Sequence, residues 1–427
     1  MARGGWRAAR RWTRTRRLAS AGVGLPSHRR YACGQRTPTE HCGLVIENLR
    51  IRNFRGIEDL RLEGLGRLNL VVGPNGAAKT SLLHAVFLLC AESNAEDVVG
   101  LVRTEEVTPD LASMERALGW WIHRRDPDGA SAVDSDQRGA EFEATYSGEN
   151  RAAHLSLTRP STRVIEPSSQ RASDGRDHHA SQQFESAPNQ QFEELRQRAR
   201  FVLRLDHRGP GSTSSLEVAF VKGRGPVARE ANGRSPIPAV IVHANSYSGR
   251  EPPSLPRLVS EAERVRKLEL VVRFLQLFDS AVEDLRVAVV ADGQPVTRVL
   301  HRRLGLVPIG VLGDGFVAAC TTLLGLVTVA TRVALIDEFD SRLHVGVVQR
   351  MIPLLHEVAR SQDTQIFLTS HRQDSVEAVA TLPSQALADI RVIQMARHEG
   401  AIRAQVIPGD AAHRLVSDLG LDLRQPT

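Results

Sequence analysis

An α/β fold around a mostly parallel sheet is what this sequence predicts, and three observations carry the prediction. Residues 68–72 form an apolar strand that runs into a Gly-rich turn and then into a helix at 80–91. Residues 333–336 form a second apolar strand, ending in the acids Asp337 and Glu338. A helix at 345–360 and a strand at 365–369 follow, and a strand, helix, strand order joins parallel neighbours through a right-handed crossover.

Residues 1–43 precede all of this. They are rich in Arg, Gly and Ala, free of acids before Glu40, and without apolar periodicity or the apolar centre of a secretory signal. Their composition suits a mitochondrial transit peptide. An over-extended start in a GC-rich bacterial gene gives the same composition and is the preferred reading, so they are expected to form a disordered tail. Folding is expected to begin near Leu44, with a strand at 44–54. Residues 44–427 are expected to make a single domain, interrupted at about 122–235 by a variable, partly disordered segment. Its stretch 161–191 is dominated by Ser, Gln, Asp and Arg, with Asp174, Asp177, His178 and His179 close together; a solvated loop explains them better than a metal site does. Helical periodicity returns at 261–280, where Val265, Leu268, Val272 and Leu275 share a face. Residues 316–329 read as a buried helix. The uncharged stretch around it carries Thr321, Thr322 and Thr328 and stops at Arg332, too short and too polar to span a membrane. In the helix at 345–360, Val348, Ile352, Leu355 and Ala359 turn one apolar face to the sheet.

The chain has 427 residues, enough for one large α/β domain or two ordinary ones, and its apolar content excludes disorder throughout. The formal charge of +6 is misleading. Ten of the 55 basic residues are arginines within 1–39, and the remaining 45 stand against 49 acids, a net charge of −4. The folding part is mildly acidic, which gives no electrostatic argument for binding a phosphate backbone. Only three lysines occur, Lys79, Lys222 and Lys267, so a lysine inside a Gly-rich turn stands out. Cys33, Cys42, Cys90 and Cys320 show no metal-ligand spacing and read as free thiols in a reducing, cytoplasmic setting.

The chemistry concentrates in Gly73, Pro74, Asn75, Gly76, Ala77, Ala78, Lys79 and Thr80, followed by Ser81. A triphosphate needs converging amide donors, a flexible cation and a hydroxyl ligand for Mg²⁺ at the opening of a helix. This segment supplies each, with Lys79 for the β- and γ-phosphates and Thr80 for the metal. Ala78 stands where the P-loop pattern has glycine. Its methyl is expected to crowd the phosphates and, if the backbone there is left-handed, to cost about 1–2 kcal/mol. Asp337 is placed to bind Mg²⁺ through water, and Glu338 to polarise the attacking water. His371, just past the strand at 365–369, suits either a γ-phosphate contact or an ordinary surface position. Gly313, Asp314 and Gly315 open the helix at 316–329, as an anion site or as a plain turn.

In this order the motifs resemble the ATP-binding-cassette heads shared by SMC-type proteins and overcoming-lysogenisation-defect (OLD) nucleases, usually grouped as AAA family ATPases. Ile51, Arg52, Asn53, Phe54, Arg55, Gly56 and Ile57 are similar to that family's first strand. Leu312, Gly313, Asp314 and Gly315 resemble its cassette signature. Ile336, Asp337, Glu338, Phe339 and Asp340, with Leu343 and His344, resemble its acidic motif, and Thr369, Ser370 and His371 its switch histidine. The resemblance implies a P-loop NTPase fold of ABC type, with an N-terminal antiparallel strand region and a helical lobe beside the parallel sheet. It implies an ATPase using ATP and Mg²⁺, with Glu338 as base, His371 at the γ-phosphate and Arg55 near the phosphates. Gly313, Asp314 and Gly315 would cap the ATP of a second copy, giving an ATP-dependent homodimer that drives or gates a partner process, such as DNA repair or phage defence. Ala78, and Ser341 and Arg342 where the family commonly has a glycine, depart from the pattern and leave a hydrolysis-impaired nucleotide switch as the alternative. The partner is an unidentified protein or DNA, not a membrane. OLD enzymes carry a nuclease domain after the ATPase. Only 56 residues follow His371, fewer than such a domain needs, so a nuclease activity is expected to come from a partner.

Overall fold

The computed structural model describes residues 46–90, 139–158, 189–222, 226–231, 239–243, 254–290, 293–328, 332–341 and 343–425, with Val98, Leu101, Glu115, Leu118, Trp121, Ile122, Glu185, Ser186 and Ile237. The expected tail at 1–43, the polar stretch from 161 to 184 with its two histidines, Cys33, Cys42 and Arg342 lie outside them.

Alternating apolar residues make a hairpin of β1 (Ile46–Phe54) and β2 (Ile57–Glu63), with Leu49 opposite Leu62, Ile51 opposite Leu60 and Phe54 opposite Ile57, all buried. β3 (Leu68–Val72) then leads into α1 (Lys79–Cys90). Next come β4 (Gly139–Tyr146), β5 (Glu149–Thr158), the two-residue β6 (Glu185–Ser186) and α2 (Asn189–Arg198). β7 (Ala199–Gly209), β8 (Ser212–Val221) and β9 (Val227–Ala231) complete an eight-stranded sheet in the order β2-β1-β4-β5-β7-β8-β9-β6, antiparallel except for the β9–β6 pair. Much of this sheet lies in the segment that showed no landmarks in the sequence.

The central sheet has six strands. They are β10 (Ala239–His243), β14 (Val333–Asp337), β15 (Gln365–Thr369), β3, β16 (Ile390–His398) and β17 (Ala401–Pro408), in that spatial order. The first five are parallel and only β17 is antiparallel, so the expected mostly parallel sheet is present. The central strands β3, β14 and β15 are buried along their whole length and are mainly apolar because both faces are covered, whereas the edge strand β17 alternates buried and exposed residues. Val71, Leu335, Phe367 and Ile393 face one core, which the antiparallel sheet closes. Leu70, Ile336, Leu368 and Val392 face a second core, closed by helices. α1 lies between the two sheets, and every residue from Leu82 to Cys90 is buried.

The second core is covered by α6 (Val345–Ser361), α7 (Gln373–Ala380), the short α8 (Ser384–Leu387) and α9 (Gly409–Ser417). It extends into a lobe of α3 (Leu255–Arg264), α4 (Leu268–Leu275) and α5 (Asp314–Thr328), with a three-stranded antiparallel sheet of β11 (Val282–Val289), β12 (Pro295–His301) and β13 (Gly305–Pro308). The single helix expected at 261–280 is thus two. Arg266 is left-handed, at φ 58°, and the Lys267 amide reaches back to the Ala262 carbonyl at 2.8 Å. That is a helix-terminating bond, formed here without the usual glycine.

Gln365 ties the two sheets together. Its Oε1 accepts from the Ile46 amide at 2.8 Å, and its Nε2 donates to the carbonyls of Ile46 at 3.0 Å and Gly66 at 2.7 Å.

Candidate functional site

β3 delivers its chain to the C-terminal edge of the parallel sheet, where ligands of such sheets bind. Gly73 has φ 146°, and a Cβ there would stand 2.1 Å from the Met395 carbonyl oxygen, so no side chain fits. Gly76 has φ 79°. Ala78 has φ 62°, the left-handed conformation in which an L-residue costs about 1–2 kcal/mol, and its methyl packs against the core under the antiparallel sheet. The expected strain is therefore present, but it is already built into the folded loop.

The helix that follows opens with Lys79 and Thr80, whose N-terminal amides lack intrahelical acceptors and favour an anion. Lys79 Nζ donates to the carbonyls of Gly73 at 2.8 Å and Pro74 at 3.0 Å. Half-burial lowers its pKa from the ordinary lysine value, and the carboxylates of Asp337, Glu338 and Asp340 act against that shift. Thr80 Oγ1 lies 3.0 and 3.2 Å from the two carboxylate oxygens of Asp337.

β14 and β15 supply the opposite wall. Asp337 is buried and accepts from Thr369 Oγ1 at 2.6 Å, while the same hydroxyl accepts from the Glu338 amide at 2.7 Å. Glu338 is left-handed, at φ 49°, and exposed. A strained, well-held position of this kind is common where a side chain must be aimed at a ligand. His371 is exposed on the loop after β15, and its carbonyl accepts from Arg424 Nη1 at 3.2 Å.

A pocket of about 300 Å³ is lined by Asn75, Gly76, Ala77, Ala78, Lys79, Thr80 and Ser81 on one side and by Asp337, Glu338, Thr369, Ser370 and His371 on the other. The sequence motifs are thus brought together across some 300 residues of chain. Gly73 and Pro74 reach it through Lys79. Arg55 does not line it: at the β1–β2 turn its guanidinium stacks between Phe54 and Trp121, 5.3 and 5.1 Å from the ring centres, and Nη2 donates to the Leu101 carbonyl at 3.4 Å. Gly313, Asp314 and Gly315 do not line it either; Gly313 is left-handed at φ 90°, and α5 starts at Asp314. Thr369 was read only as part of the switch motif, yet its hydroxyl joins both acids.

The donor set fits Mg²⁺ and a nucleotide. A hydroxyl and a carboxylate side by side suit a hard cation, and a glycine turn that excludes a Cβ suits phosphate oxygens. Thr80 and Asp337 alone leave most of an octahedral shell to water or nucleotide oxygens, as is usual for Mg²⁺. A larger cavity, of about 640 Å³, lies over the solvent face of the antiparallel sheet. There Arg52 pairs with Glu141 and Glu143, and Arg204 with Asp206, so these charges are matched locally, and among the described residues its lining comes from strands.

Comparison with known proteins agrees with this geometry. The chain is 29% identical over 75 residues to an ATP/GTP phosphatase of Helicobacter pylori, a match covering 16% of this chain and 20% of that one. It is 30% identical over 115 residues to an OLD nuclease of Thermus scotoductus, covering 26% and 20%. Each match takes in about a fifth of the relative's length. Among solved structures, the SMC head domain of Thermotoga maritima is similar at 14% identity and a TM-score of 0.39, over 85% of this chain and 98% of that one, too loosely to add to the sheet order itself. Among the described residues no helix is long and apolar enough to cross a membrane. With the loop, the two acids and the histidine gathered at one sheet edge, and with residues 68–374 matching the family described as "AAA domain, putative AbiEii toxin, Type IV TA system", the chain belongs to that family and is a P-loop ATPase with an ABC-type head.

Proposed function

We propose that the chain binds Mg·ATP in the pocket between α1 and β14, and that two copies pair around the nucleotide to drive or gate a partner process in the cytoplasm. The observation that carries this reading is the contact of Thr80 with Asp337, beside an exposed Glu338 whose amide Thr369 holds. Lys79 contacts the phosphates, Thr80 and Asp337 hold the cation, and His371 faces the γ-phosphate. When bound, Mg²⁺ neutralises phosphate charge as the terminal P–O bond breaks. Glu338 takes the proton of the water that attacks the γ-phosphorus. Gly313, Asp314 and Gly315, away from their own pocket, are free to cap the nucleotide of a second copy. The likeness of one segment to an OLD nuclease supports DNA repair or phage defence as the setting, with DNA or a protein as partner.

Glu338→Gln is the test, measured for turnover and for mass in Mg·ATP. Hydrolysis should fall by about two to four orders of magnitude, the scale of a lost general base, and light scattering should show a stable ATP-dependent dimer. Equal turnover in the two proteins removes Glu338 from catalysis, and an ATP-bound monomer removes the capping role of the Gly313 turn. The second reading, a switch that binds ATP and hydrolyses it poorly, rests on Ala78 and its φ of 62°. A wild-type protein that binds Mg·ATP but hydrolyses it no faster than ATP hydrolyses in solution would select it.

A further inference from the structure

Glu338 and His371 sit on different loops, two residues beyond Ile336 and two beyond Thr369. Backbone pairing ends with the strands, so something else must hold the loops in register. Thr369 holds the near side, through Asp337 and the Glu338 amide. On the far side stands Asp340, fully buried. Its Oδ2 accepts from Ser370 Oγ and, at 2.6 Å, from Ser375 Oγ at the start of α7. Ser370 in turn accepts from the Arg372 amide at 2.9 Å, and its own amide donates to the Val71 carbonyl at 3.0 Å. Arg372 Nη1 closes the knot on the carbonyls of Leu343 at 2.7 Å and Asp340 at 3.4 Å. His371 is flanked on both sides by residues bound to the Asp340 segment.

A buried carboxylate is costly unless its lone pairs are satisfied. Among the described residues Oδ1 of Asp340 has no hydrogen-bond partner, so the carboxylate is held by its other oxygen. An apolar residue would fill this space at less cost, which singles out its two hydroxyl contacts as what the acid is for. We propose that Asp340 is a positioning residue: by gripping Ser370 and Ser375 it locks the Glu338 turn to the His371 loop, so that base and histidine reach the γ-phosphate together. It does not touch the nucleotide. The proposal rests on the roles given above to Glu338 and His371.

The test compares Asp340→Ala, Asp340→Asn and Ser370→Ala with wild type for melting temperature, affinity for Mg·ATP by calorimetry, KM and kcat. Asp340→Ala should lower kcat about ten- to a hundred-fold, the scale of an ångström of misplacement, with KM and affinity within about threefold of wild type. Asp340→Asn keeps one oxygen for both hydroxyls and should recover most of the turnover. If Asp340→Ala does not fold, Ser370→Ala, which leaves the carboxylate in place, carries the comparison and should lower kcat alone. On the Glu338→Gln background the further loss from Asp340→Ala should shrink, because no base is left to aim. Undiminished kcat in both Asp340→Ala and Ser370→Ala overturns the proposal. So does a loss of affinity that matches the loss of turnover. If Glu338→Gln itself turns over normally, the reading of Glu338 fails instead, and the two failures are told apart in one series.

Discussion

Replacing Ala78 by glycine separates two places where the strain of the loop can act. At φ 62° the alanine costs about 1–2 kcal/mol relative to a relaxed residue. Glycine removes that cost, but it loses about 0.5–1 kcal/mol more backbone entropy on folding. It also gives up a half-buried methyl worth about 0.4 kcal/mol, half the usual value for a buried CH₂. The net effect on folding lies between about 0.4 kcal/mol of destabilisation and about 1 kcal/mol of stabilisation. Because this φ belongs to the turn itself and the methyl packs against the core under the antiparallel sheet, strain relief is expected to be common to the free and bound forms. Affinity for Mg·ATP should therefore change less than about threefold, while the melting temperature shifts by no more than about 2 °C in either direction. Calorimetric titration and thermal melts of wild type and Ala78→Gly check both. ATP bound about five- to thirty-fold more tightly, with the melt unchanged, would mean that the strain or the methyl acts on the phosphates after all, and this reasoning would fall.

Gln365→Leu should lower stability by about 2–3 kcal/mol, since it takes the side-chain partner from the Ile46 amide and carbonyl at about 1–3 kcal/mol each and leaves the Gly66 carbonyl with Asn69 Nδ2 at 2.8 Å; a denaturant midpoint equivalent to less than about 1 kcal/mol would count against it. Cys90 and Cys320 are buried thiols outside any disulfide, and burial pushes the pKa of each up to about 12, so peptide mapping after alkylation near pH 8 should find both unmodified until the protein is denatured, and labelling of either at the rate of an exposed thiol contradicts this. Burial holds the His356 imidazole below its ordinary value of 6.5, outweighing Asp389 at 3.3 Å. The unfolded chain then takes up its proton first, so this contribution is intact above about pH 6.5 and is lost as pH falls from there. Melts at about pH 7.5 and pH 5.5 should show a smaller acid loss in His356→Gln than in wild type; an equal or larger one refutes the assignment.

The parallel sheet was legible because its strands are buried on both faces. Leu68–Val72 and Gln365–Thr369 stand out as apolar runs, and their observed bounds are those read from the sequence. The antiparallel strands were not legible. In β5 only Ala153, Leu155 and Leu157 are buried, set among Arg151, His154 and Ser156 that face solvent or lie part-exposed, and half-covered strands of that kind look like loops. The break at Arg266 escaped because nothing short of structure marks a left-handed arginine. At the site, Lys79, Thr80, Asp337, Glu338 and His371 announce themselves by type and local context. Asp340 and Gln365 do not, because their partners lie 30 and more residues away and depend on which strands become neighbours.

The order β14, β15, β3 puts the strand that leads to His371 between the loop at 73–80 and the acids Asp337 and Glu338. At the usual spacing of about 4.8 Å per strand, β3 and β14 themselves stand nearly 10 Å apart, yet Thr80 Oγ1 reaches Asp337 at 3.0 Å, and the Thr369 hydroxyl at the end of β15 touches the acidic side, through Asp337 and the Glu338 amide. That hydroxyl splices the two acids to the end of β15, while α1 is packed between the two sheets on the other side. His371 is only two residues beyond Thr369, so under the proposed function any shift of Asp337 or Glu338 would reach the histidine through one side chain, without a distant relay.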